Sequence, residues 1–433
     1  MKLFIVIVIF ILNLNSVFAF EFLGYLENAY KNNPALNAER ENYKAIKENI
    51  NISRSEFLPS VSISGSQNSL QNYNRKNQAG VKQPDSSNTS ETQSVSIDQK
   101  IFQGFNGYNS IKKSQLESEQ AAVKLKNTEQ KILLKSAITY YDLIYKIKNK
   151  QFNLANIDLF ERQVETDTSR LQKGEITLTD LAQSESSLAG ANAKLIAADT
   201  ELLVAKSNFE RTIRMPAPKE VVQDNFIESI NINFPSGLNS VLVISEKYNP
   251  KLLLAKIEYE ISEKLVDIEK SKFSPSASVN YTKSQSKDFS STIDDADQEN
   301  LKATVTIPLF KGGENYSSLK KSKFKKKQTN LILKDTINEV KTDAVNAWSI
   351  YQSSESVLKS TQAQVKAAEI ANEGITLEYD SGNTRTTLEV IQSRSILLNA
   401  RISNAKAERD FAVSKFELLA IIGDLTLNNL KKS

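Results

Sequence analysis

The chain has 433 residues, with 55 Lys and Arg against 51 Asp and Glu, and it contains neither Cys nor His. The near balance of charge argues against a nucleic-acid-binding protein, which normally carries a concentrated basic face. Because thiolate and imidazole groups are both missing, zinc sites, thiol nucleophiles and His-dependent acid-base catalysis are excluded.

The first residues have the pattern of a secretory signal peptide. Lys2 is followed by an unbroken apolar run over 3–12, and Val17-Phe18-Ala19 places small residues where a signal peptidase reads. The run is too short to span a bilayer, which disfavours a membrane anchor. We therefore predict that residues 1–19 are removed and that the mature protein is exported. No later segment approaches a transmembrane helix in length and apolarity.

Most of the remaining chain is duplicated. Asn33-Pro34 recurs as Asn249-Pro250, and Phe57-Leu58-Pro59 recurs as Phe273-Ser274-Pro275 at the same spacing. Two separate matches that share one spacing indicate an internal repeat. We predict the following division of the mature chain: a first repeat over 20–213, a proline-containing linker over 214–235, a second repeat over 236–421 and a C-terminal tail over 422–433.

Each repeat contains a pair of amphipathic strands near its beginning. Apolar and small polar residues alternate in four segments, 61–64, 95–98, 277–282 and 303–307. This alternation is typical of strands with one apolar face and one polar face. We predict strand hairpins over about 59–103 and about 275–310. We interpret the polar stretches inside them, 67–93 and 284–299, as exposed loops.

Long helices follow each strand pair. None of the nine prolines lies between 85 and 215 or after 308, and a helix interior tolerates proline poorly. Gly174 and Gly382 interrupt these runs, and each is followed by Thr and an acidic residue, as at a helix C-cap, a turn and an N-cap. We therefore predict two antiparallel helical hairpins with tips at about 172–180 and 379–389.

The return helices of both hairpins carry apolar residues at alternating spacings of three and four, most clearly from Leu388 to Leu419. This spacing indicates helices packed side by side, as in coiled coils. An ordinary buried helix face gives the same spacing, but the length of the runs favours long hairpins.

Aromatic residues mark the predicted junctions between strands and helices. In two antiparallel hairpins they all lie at one level: Phe57, Phe102, Phe105, Phe273 and Phe310. At one edge of a transmembrane barrel such residues form an interfacial girdle, whereas in a soluble protein they would cap a sheet. Four strands cannot close a barrel, and open edges do not occur in lipid. A membrane-inserted chain must therefore pool its strands with copies of itself.

In their order and spacing, these motifs resemble the TolC family of outer-membrane efflux proteins. The likeness spans essentially the whole mature chain and lies in the repeated Asn-Pro and Pro-containing motifs, in 174–180, in 307–313, and in 379–390. The resemblance implies a homotrimer whose strands form one twelve-stranded outer-membrane β-barrel, continued by a periplasmic tunnel of helical hairpins. It also implies an exit channel for a tripartite efflux pump or a type I secretion system, joined to an inner-membrane transporter by a periplasmic adaptor.

The resemblance further implies roles at the two tips. Thr179 and Asp180 correspond to residues that link to Tyr379 and Arg385 and close the tunnel. Family members often have two acidic residues one helical turn apart at the tunnel entrance.

Here the first of these acidic positions corresponds to Glu389 and the second to Gln392, provided that Asn383 is an insertion. A match without a gap would place Leu388 and Ile391 there instead. A doubled acidic ring is therefore not expected.

Two other classes of protein share some of these features. A periplasmic adaptor also combines helical hairpins with β structure, but it usually has one hairpin, and this chain has two predicted tips. A coiled-coil scaffold of the cell envelope would leave the four amphipathic strands unexplained. An enzyme has least support because no nucleophile and base accompany the many carboxylates. We predict no catalytic residue, no cofactor and no metal site.

Overall fold

The structure is a computed structural model that describes residues 22–218, 234–290, 293–381 and 385–431. The predicted signal peptide, most of the predicted linker and Gly382 with Asn383 lie outside the described residues. Among the described residues, no helix has both the length and the apolarity that a bilayer crossing requires.

The elements occur twice in the same order, which is two helices, two strands, a long helix and a return helix. The first set comprises α1 (22–32), α2 (Pro34–Ser55), β1 (Ser60–Asn72), β2 (Ser86–Gln103), α3 (Asn106–Gln172) and α4 (Leu178–Ile213). The second set comprises α5 (Leu238–Tyr248), α6 (Pro250–Ser271), β3 (Ser276–Ser290), β4 (Ile293–Thr306), α7 (Glu314–Asp380) and α8 (Thr387–Ile421), and α9 (Leu427–Lys431) follows. The predicted combination of long helices with four antiparallel strands is confirmed.

The chain divides into two compact units, and each unit takes residues from both sets of elements. Unit 1 comprises the described residues of 1–41, 123–253 and 335–433, and unit 2 comprises those of 42–122 and 254–334. Unit 1 therefore contains the described parts of both hairpin tips, and unit 2 contains the sheet.

The repeated Asn-Pro motif starts a helix in both places. The Asn33 side-chain oxygen accepts hydrogen bonds from the backbone N–H groups of Ala35 and Leu36 at 3.0 and 3.3 Å. Asn249 does the same for Lys251 and Leu252 at 2.9 and 3.3 Å. Asn is a favoured N-cap, and proline suits the first helical position because its missing N–H would have no partner there.

An aromatic cluster lies in the core of unit 1. The Phe22 ring centre is 4.5 Å from that of Tyr140 and 5.8 Å from that of Phe416. Tyr25 packs edge-on against Phe209 at 5.2 Å. Each fully buried ring of this size stabilises the fold by roughly 2–3 kcal/mol. Leu425 and Leu430, in the segment described above only as a tail, are buried in the same core.

The helix α8 is buried along two stripes. The predicted stripe is buried in its later part, at Leu398, Ala405, Ala412, Phe416 and Leu419. A second stripe that the sequence reading missed is also buried, at Val390, Leu397, Ala400, Ala407 and Leu418. Leu397 and Ala400 pack against Ala368 of α7. A helix with neighbours on two sides carries two apolar stripes, and a single periodic pattern identifies only one of them.

Unit 2 contains one antiparallel sheet with strand order β1-β2-β3-β4. One representative row across the sheet is Val61, Ile97, Tyr281 and Leu301. Over the regularly paired part, odd-numbered residues lie on one face and even-numbered residues on the other. Four helices of this unit lie in the order α2-α3-α6-α7, which matches the order of the strands they adjoin in sequence. Neighbouring helices are joined by side-chain hydrogen bonds: Ser53 to Ser114, Gln120 to Glu258, and Ser262 to Thr329.

The expectation of long loops at 67–93 and 284–299 is wrong for most of their length. β1 continues to Asn72 and β2 begins at Ser86, while β3 continues to Ser290 and β4 begins at Ile293. Alternating hydropathy disappears where both faces of a strand meet water, but the backbone hydrogen bonds of the ladder continue there unchanged. The predicted strands are therefore too short.

Gly423 follows α8 with a φ of +76°, and a Cβ atom there would lie 2.2 Å from the Tyr248 carbonyl oxygen. We expect Gly423→Ala to lower the thermal denaturation midpoint in mild detergent. The added Cβ would clash with Tyr248, and the left-handed backbone conformation costs a residue other than Gly about 1 kcal/mol. The matched control is Gly374→Ala inside α7, where a Cβ would meet nothing within 4 Å. A helix favours Ala over Gly by up to about 1 kcal/mol, so the control should leave the midpoint unchanged or raise it. Equal midpoints for the two variants would contradict this account.

Candidate functional site

The first hairpin tip lies in unit 1 between α3 and α4. Gly174 has a φ of +74°, and the N–H of Glu175 donates to the carbonyl of Arg170 at 2.9 Å, which closes the end of α3. Thr177 caps α4, and its backbone N–H donates to the Asp180 carboxylate at 2.9 Å. The hydrogen bond from the Thr177 hydroxyl is the main cause that lowers the pKa of Asp180.

The second tip repeats this arrangement at the start of α8. Thr386 is the N-cap, and its backbone N–H donates to Glu389 at 2.8 Å. This bond, followed by the contact with Arg385, lowers the pKa of Glu389. A lowered pKa means that both carboxylates stabilise their helix ends at neutral pH. This stabilisation is lost as the pH falls through the lowered pKa.

Arg385 contacts two carboxylates of its own hairpin. Its Nε donates to Glu378 at 2.6 Å and its Nη1 donates to Glu389 at 3.1 Å. Glu389 is therefore engaged by the capping interaction and by a neighbouring positive charge. Gln392, at the second predicted entrance position, is exposed.

The four predicted gating residues are not brought together as pairs within the chain. Asp180 bonds Thr177, Arg385 bonds Glu378 and Glu389, and Thr179 is exposed. Tyr379 does meet a carboxylate, but it is that of Asp167, to which its hydroxyl donates at 2.8 Å.

A buried polar cluster surrounds this carboxylate in unit 1. We call it the tip cluster, and its members are Gln163, Asp167, Ser184, Tyr379 and Thr387. Besides Tyr379, the Ser184 hydroxyl donates to Asp167 at 2.6 Å and the Gln163 amide donates at 3.0 Å. The Tyr379 and Thr387 hydroxyls lie 3.1 Å apart. The cluster thus joins α3, α4, α7 and α8 through one carboxylate.

Asp167 was not predicted, although the sequence carries a signal for it. Phe160, Gln163 and Asp167 follow the three-four spacing of a buried stripe on α3, and all three are buried. Polar residues at such positions are costly unless they bond one another, so they identify candidate buried networks.

Two arginines complete the electrostatics of the tip cluster. The Arg170 guanidinium carbon lies 4.7 Å from the centre of the Tyr379 ring. Arg394 Nη1 donates to the backbone carbonyl of Leu159 on α3 at 3.1 Å, and burial lowers the pKa of this guanidinium. Burial also raises the pKa of the Tyr379 hydroxyl. The tyrosine therefore remains a neutral donor to Asp167 at physiological pH.

Unit 2 carries an exposed apolar surface on the odd-numbered face of the sheet. It comprises Val61, Ile63, Val95, Ile97, Leu301 and Val305, of which Leu301 is 73% and Val305 69% exposed. Measured along the strands, this surface is about 20 Å long from the row of Val95 to the row of Val305, at 3.3 Å per residue. We call this surface the apolar belt. Its extent indicates a nonaqueous environment.

The five predicted girdle aromatics are exposed at the ends of the strands. Phe57, Phe102, Phe105, Phe273 and Phe310 are all large exposed hydrophobic residues, and Phe310 is 87% exposed. The Phe57 ring covers Gly107, where a Cβ would lie 2.8 Å from it. Their role as an interfacial girdle remains a prediction.

Comparisons with known proteins bear on this architecture. The family model for outer membrane efflux proteins matches residues 25–212 and 242–424. The outer membrane efflux protein BepC of Brucella suis biovar 1 is 24% identical over 408 residues, which cover 94% of this chain and 86% of BepC. The outer membrane protein TolC of Vibrio cholerae is 22% identical over 417 residues, covering 95% of this chain and 92% of that protein. The crystal structure of the Campylobacter jejuni CmeC outer membrane channel superposes with a TM-score of 0.80 at 16% identity, covering 93% of this chain and 86% of CmeC.

The fold, the apolar belt and these matches define an outer-membrane channel protein. Because the family model covers most of its length, the chain belongs to the outer membrane efflux protein family. It functions as an outer-membrane exit channel for efflux, with its helical part in the periplasm. The predicted resemblance is thus confirmed, and the adaptor alternative is not favoured. The family consists of channel proteins rather than enzymes.

The tip cluster gives a direct test of what holds the tips together. We expect Asp167→Ala to weaken the attachment of α7 by about 2 kcal/mol, because it leaves the buried hydroxyls of Tyr379 and Ser184 without their acceptor. Hydrogen exchange of the backbone amides over 375–381 should then accelerate by about 30-fold, while exchange in the aromatic core of unit 1 stays constant.

Asp158→Ala is the matched control, because Asp158 lies on the same helix and is exposed. It should leave exchange at the tips unchanged. Equal acceleration by both variants would show that the buried carboxylate does not hold α7.

Proposed function

We propose that three copies of the chain assemble into one exit channel that receives its substrates from an inner-membrane transporter through a periplasmic adaptor. The observation that carries this proposal is the open sheet. Among the described residues, β1 and β4 each pair on one side only. Unpaired backbone groups are not tolerated in lipid, so each edge needs a partner strand from another copy.

The direction of the strands is compatible with closure. β1 and β4 run in opposite directions, because three antiparallel pairings separate them. β4 of one copy beside β1 of the next therefore continues the antiparallel pattern. Three copies supply twelve strands, the number that the family resemblance implies and one within the range of known barrels.

The helices of unit 2 support the same assembly. The face of α7 that points away from α6 carries exposed apolar residues between lysines, in the order Tyr316, Lys320, Phe324, Lys327 and Leu331. These residues follow the three-four spacing of a packed helix. We assign this face to the neighbouring copy.

We further propose that residues 1–19 direct export and are then removed, and that the two repeats at 20–213 and 236–421 each supply one strand pair and one helical hairpin to the channel. The apolar belt and the five exposed phenylalanines would contact outer-membrane lipid. The substrate-delivering partner belongs either to a drug-type efflux pump or to a type I secretion system.

Assembly is tested by mass measurement of the protein extracted from outer membranes in mild detergent. We expect a trimer, and we expect Leu331→Asp to reduce its abundance because a charge would be buried between copies. Ile332→Asp is the matched control, since Ile332 is similarly exposed but lies about one quarter turn away on α7. A stable, membrane-inserted monomer of the parent chain would contradict the proposal.

At the tips we propose that Thr179 and Asp180 of one copy link to Tyr379 and Arg385 of its neighbour and keep the entrance closed. Asp180 and Thr179 are available for such links, because the capping interaction engages only one carboxylate oxygen of Asp180 and Thr179 is exposed. Tyr379 would have to exchange its hydrogen bond to Asp167 for the link, and Arg385 would have to share its donors with Glu378 and Glu389. Each link at a partly wet tip contributes only about 1 kcal/mol, so several links act together. Glu389 and Gln392 would line the opening.

We expect Tyr379→Phe combined with Arg385→Ser to raise single-channel conductance in planar bilayers without lowering trimer abundance. Loss of Arg385 also removes the positive charge beside Glu389, so the entrance should become more cation-selective. Adding Glu389→Gln should cancel this gain in selectivity.

Ser184→Ala is the control for the conductance measurement, because it removes one donor to Asp167 and leaves the proposed links intact. If it raises conductance as much as the double variant does, the tip cluster rather than the links closes the entrance. An unchanged conductance of the double variant would exclude these residues as the gate.

A further inference from the structure

The even-numbered face of the sheet is lined mainly by small hydroxyl and amide side chains. Ser64 and Ser94 are hydrogen-bonded at 2.8 Å, Thr92 and Ser286 at 2.9 Å, and Ser96 and Thr282 at 3.1 Å. These bonds connect neighbouring strands, and the even-numbered residues of β2 from 88 to 96 are less exposed than the odd-numbered ones. Since the odd-numbered face carries the apolar belt, the even-numbered face is the one that lines water in a closed barrel.

In the part of the sheet next to the helices, charge on this polar face is confined to two adjacent rows. This part extends from the row of Ser286 and Ala296 to the end of the sheet where the strands join the helices. Its charged residues on the even-numbered face are Asp98, Lys100 and Lys302. Asp98 and Lys302 flank Asn280 in one row, and Asp98 accepts a hydrogen bond from the Asn280 amide at 2.7 Å. Lys100 lies in the next row, beside Ser278.

The two lysines on this face differ from Lys283 on the opposite face in their partners. On the odd-numbered face, Lys283 forms an ion pair with Glu299 at 2.8 Å. Within the described part of the chain, neither Lys100 nor Lys302 has an ion-pair partner. Asp98 is therefore the negative charge on this part of the polar face that offsets the two unpaired lysine charges.

We propose that Asp98, Lys100 and Lys302 form the charge-selecting ring of the barrel wall and that this ring attracts anionic groups such as carboxylates, phosphates and sulfonates. The inference rests on the proposed trimer, in which each copy contributes one negative and two positive charges. A pore lined by one excess sign raises the local concentration of ions of the opposite sign. At 0.1 M salt the Debye length is about 10 Å, so the effect acts on solutes close to the wall.

The absence of native cysteine permits a local measurement of this field. Thr304→Cys introduces a single thiol on the even-numbered face, two residues from Lys302 and in the row of Lys100. In outer-membrane preparations the thiol is treated with methanethiosulfonate reagents that carry either a sulfonate or a quaternary ammonium group. The measured quantity is the ratio of the two modification rates, compared with the ratio for a free thiol in the same buffer.

We expect the sulfonate reagent to be favoured at Thr304→Cys relative to the free thiol. Adding Lys302→Gln or Lys100→Gln should lower the rate ratio by about threefold or more at low salt. The difference should largely vanish at 1 M salt, where the Debye length is about 3 Å. Lys287→Gln is the matched control, because it removes the same charge from the opposite face of the sheet.

Equal rate ratios in the Lys302→Gln and Lys287→Gln backgrounds would overturn the proposal. Ala303→Cys tests the assignment of the faces, because lipid should shield that thiol from both reagents. Reaction at residue 303 with none at residue 304 would also overturn the proposal, while leaving the trimeric channel intact. If the parent chain forms no trimer, the proposed function fails first and this inference fails with it.

Discussion

An unpaired backbone amide in hydrocarbon costs several kcal/mol, and the arrangement of unit 2 follows from this cost. Within the described residues, each chain supplies three strand pairings and leaves the outer edges of β1 and β4 unpaired. The helices α2, α3, α6 and α7 follow the same order as the strands, so the outer helices also present faces without a partner in the described chain. The proposed assembly of three copies would therefore pair the strand edges and cover the exposed helix faces in one step.

The two tips use their acidic residues first for local structure. Asp180 and Glu389 each complete a capping box, and the resulting hydrogen bonds lower the pKa of both groups. Capping does not remove the negative charge, so a carboxylate that starts a helix still repels anions at a narrow opening. Arg385 moderates this effect at Glu389, which makes the two tips electrostatically unequal. The ring proposed in the barrel has the opposite sign, so the barrel wall would attract the anions that Asp180 and Glu389 repel.

Much of the fold can be predicted from the sequence because long helices and amphipathic strands are local patterns. The long helix predicted between a strand hairpin that ends at about 103 and a tip that begins at about 172 is observed at Asn106–Gln172. Prediction failed where the pattern depends on neighbours that are distant in sequence. Strand pairing at Asn72 and Ser86 continues without any hydropathy signal, and the second stripe of α8 becomes visible only beside α7. The local spacing on α3 marks Asp167 as a buried polar residue, but its partner Tyr379, 212 residues away, cannot be identified from that spacing.

The tip cluster also restricts how the tips can separate. Asp167 is fully buried, and its side-chain oxygens accept hydrogen bonds from α3, α4 and α7. If α7 moved away while Asp167 stayed buried, this side chain would lose a donor in a medium that solvates it poorly, at a cost of about 1–3 kcal/mol. Opening is less costly if water reaches the carboxylate as Tyr379 leaves, or if Tyr379 and Asp167 move together. The proposed links at the exposed tip would each be weak, so the hydrogen bonds to Asp167 decide whether the tips can separate without local unfolding.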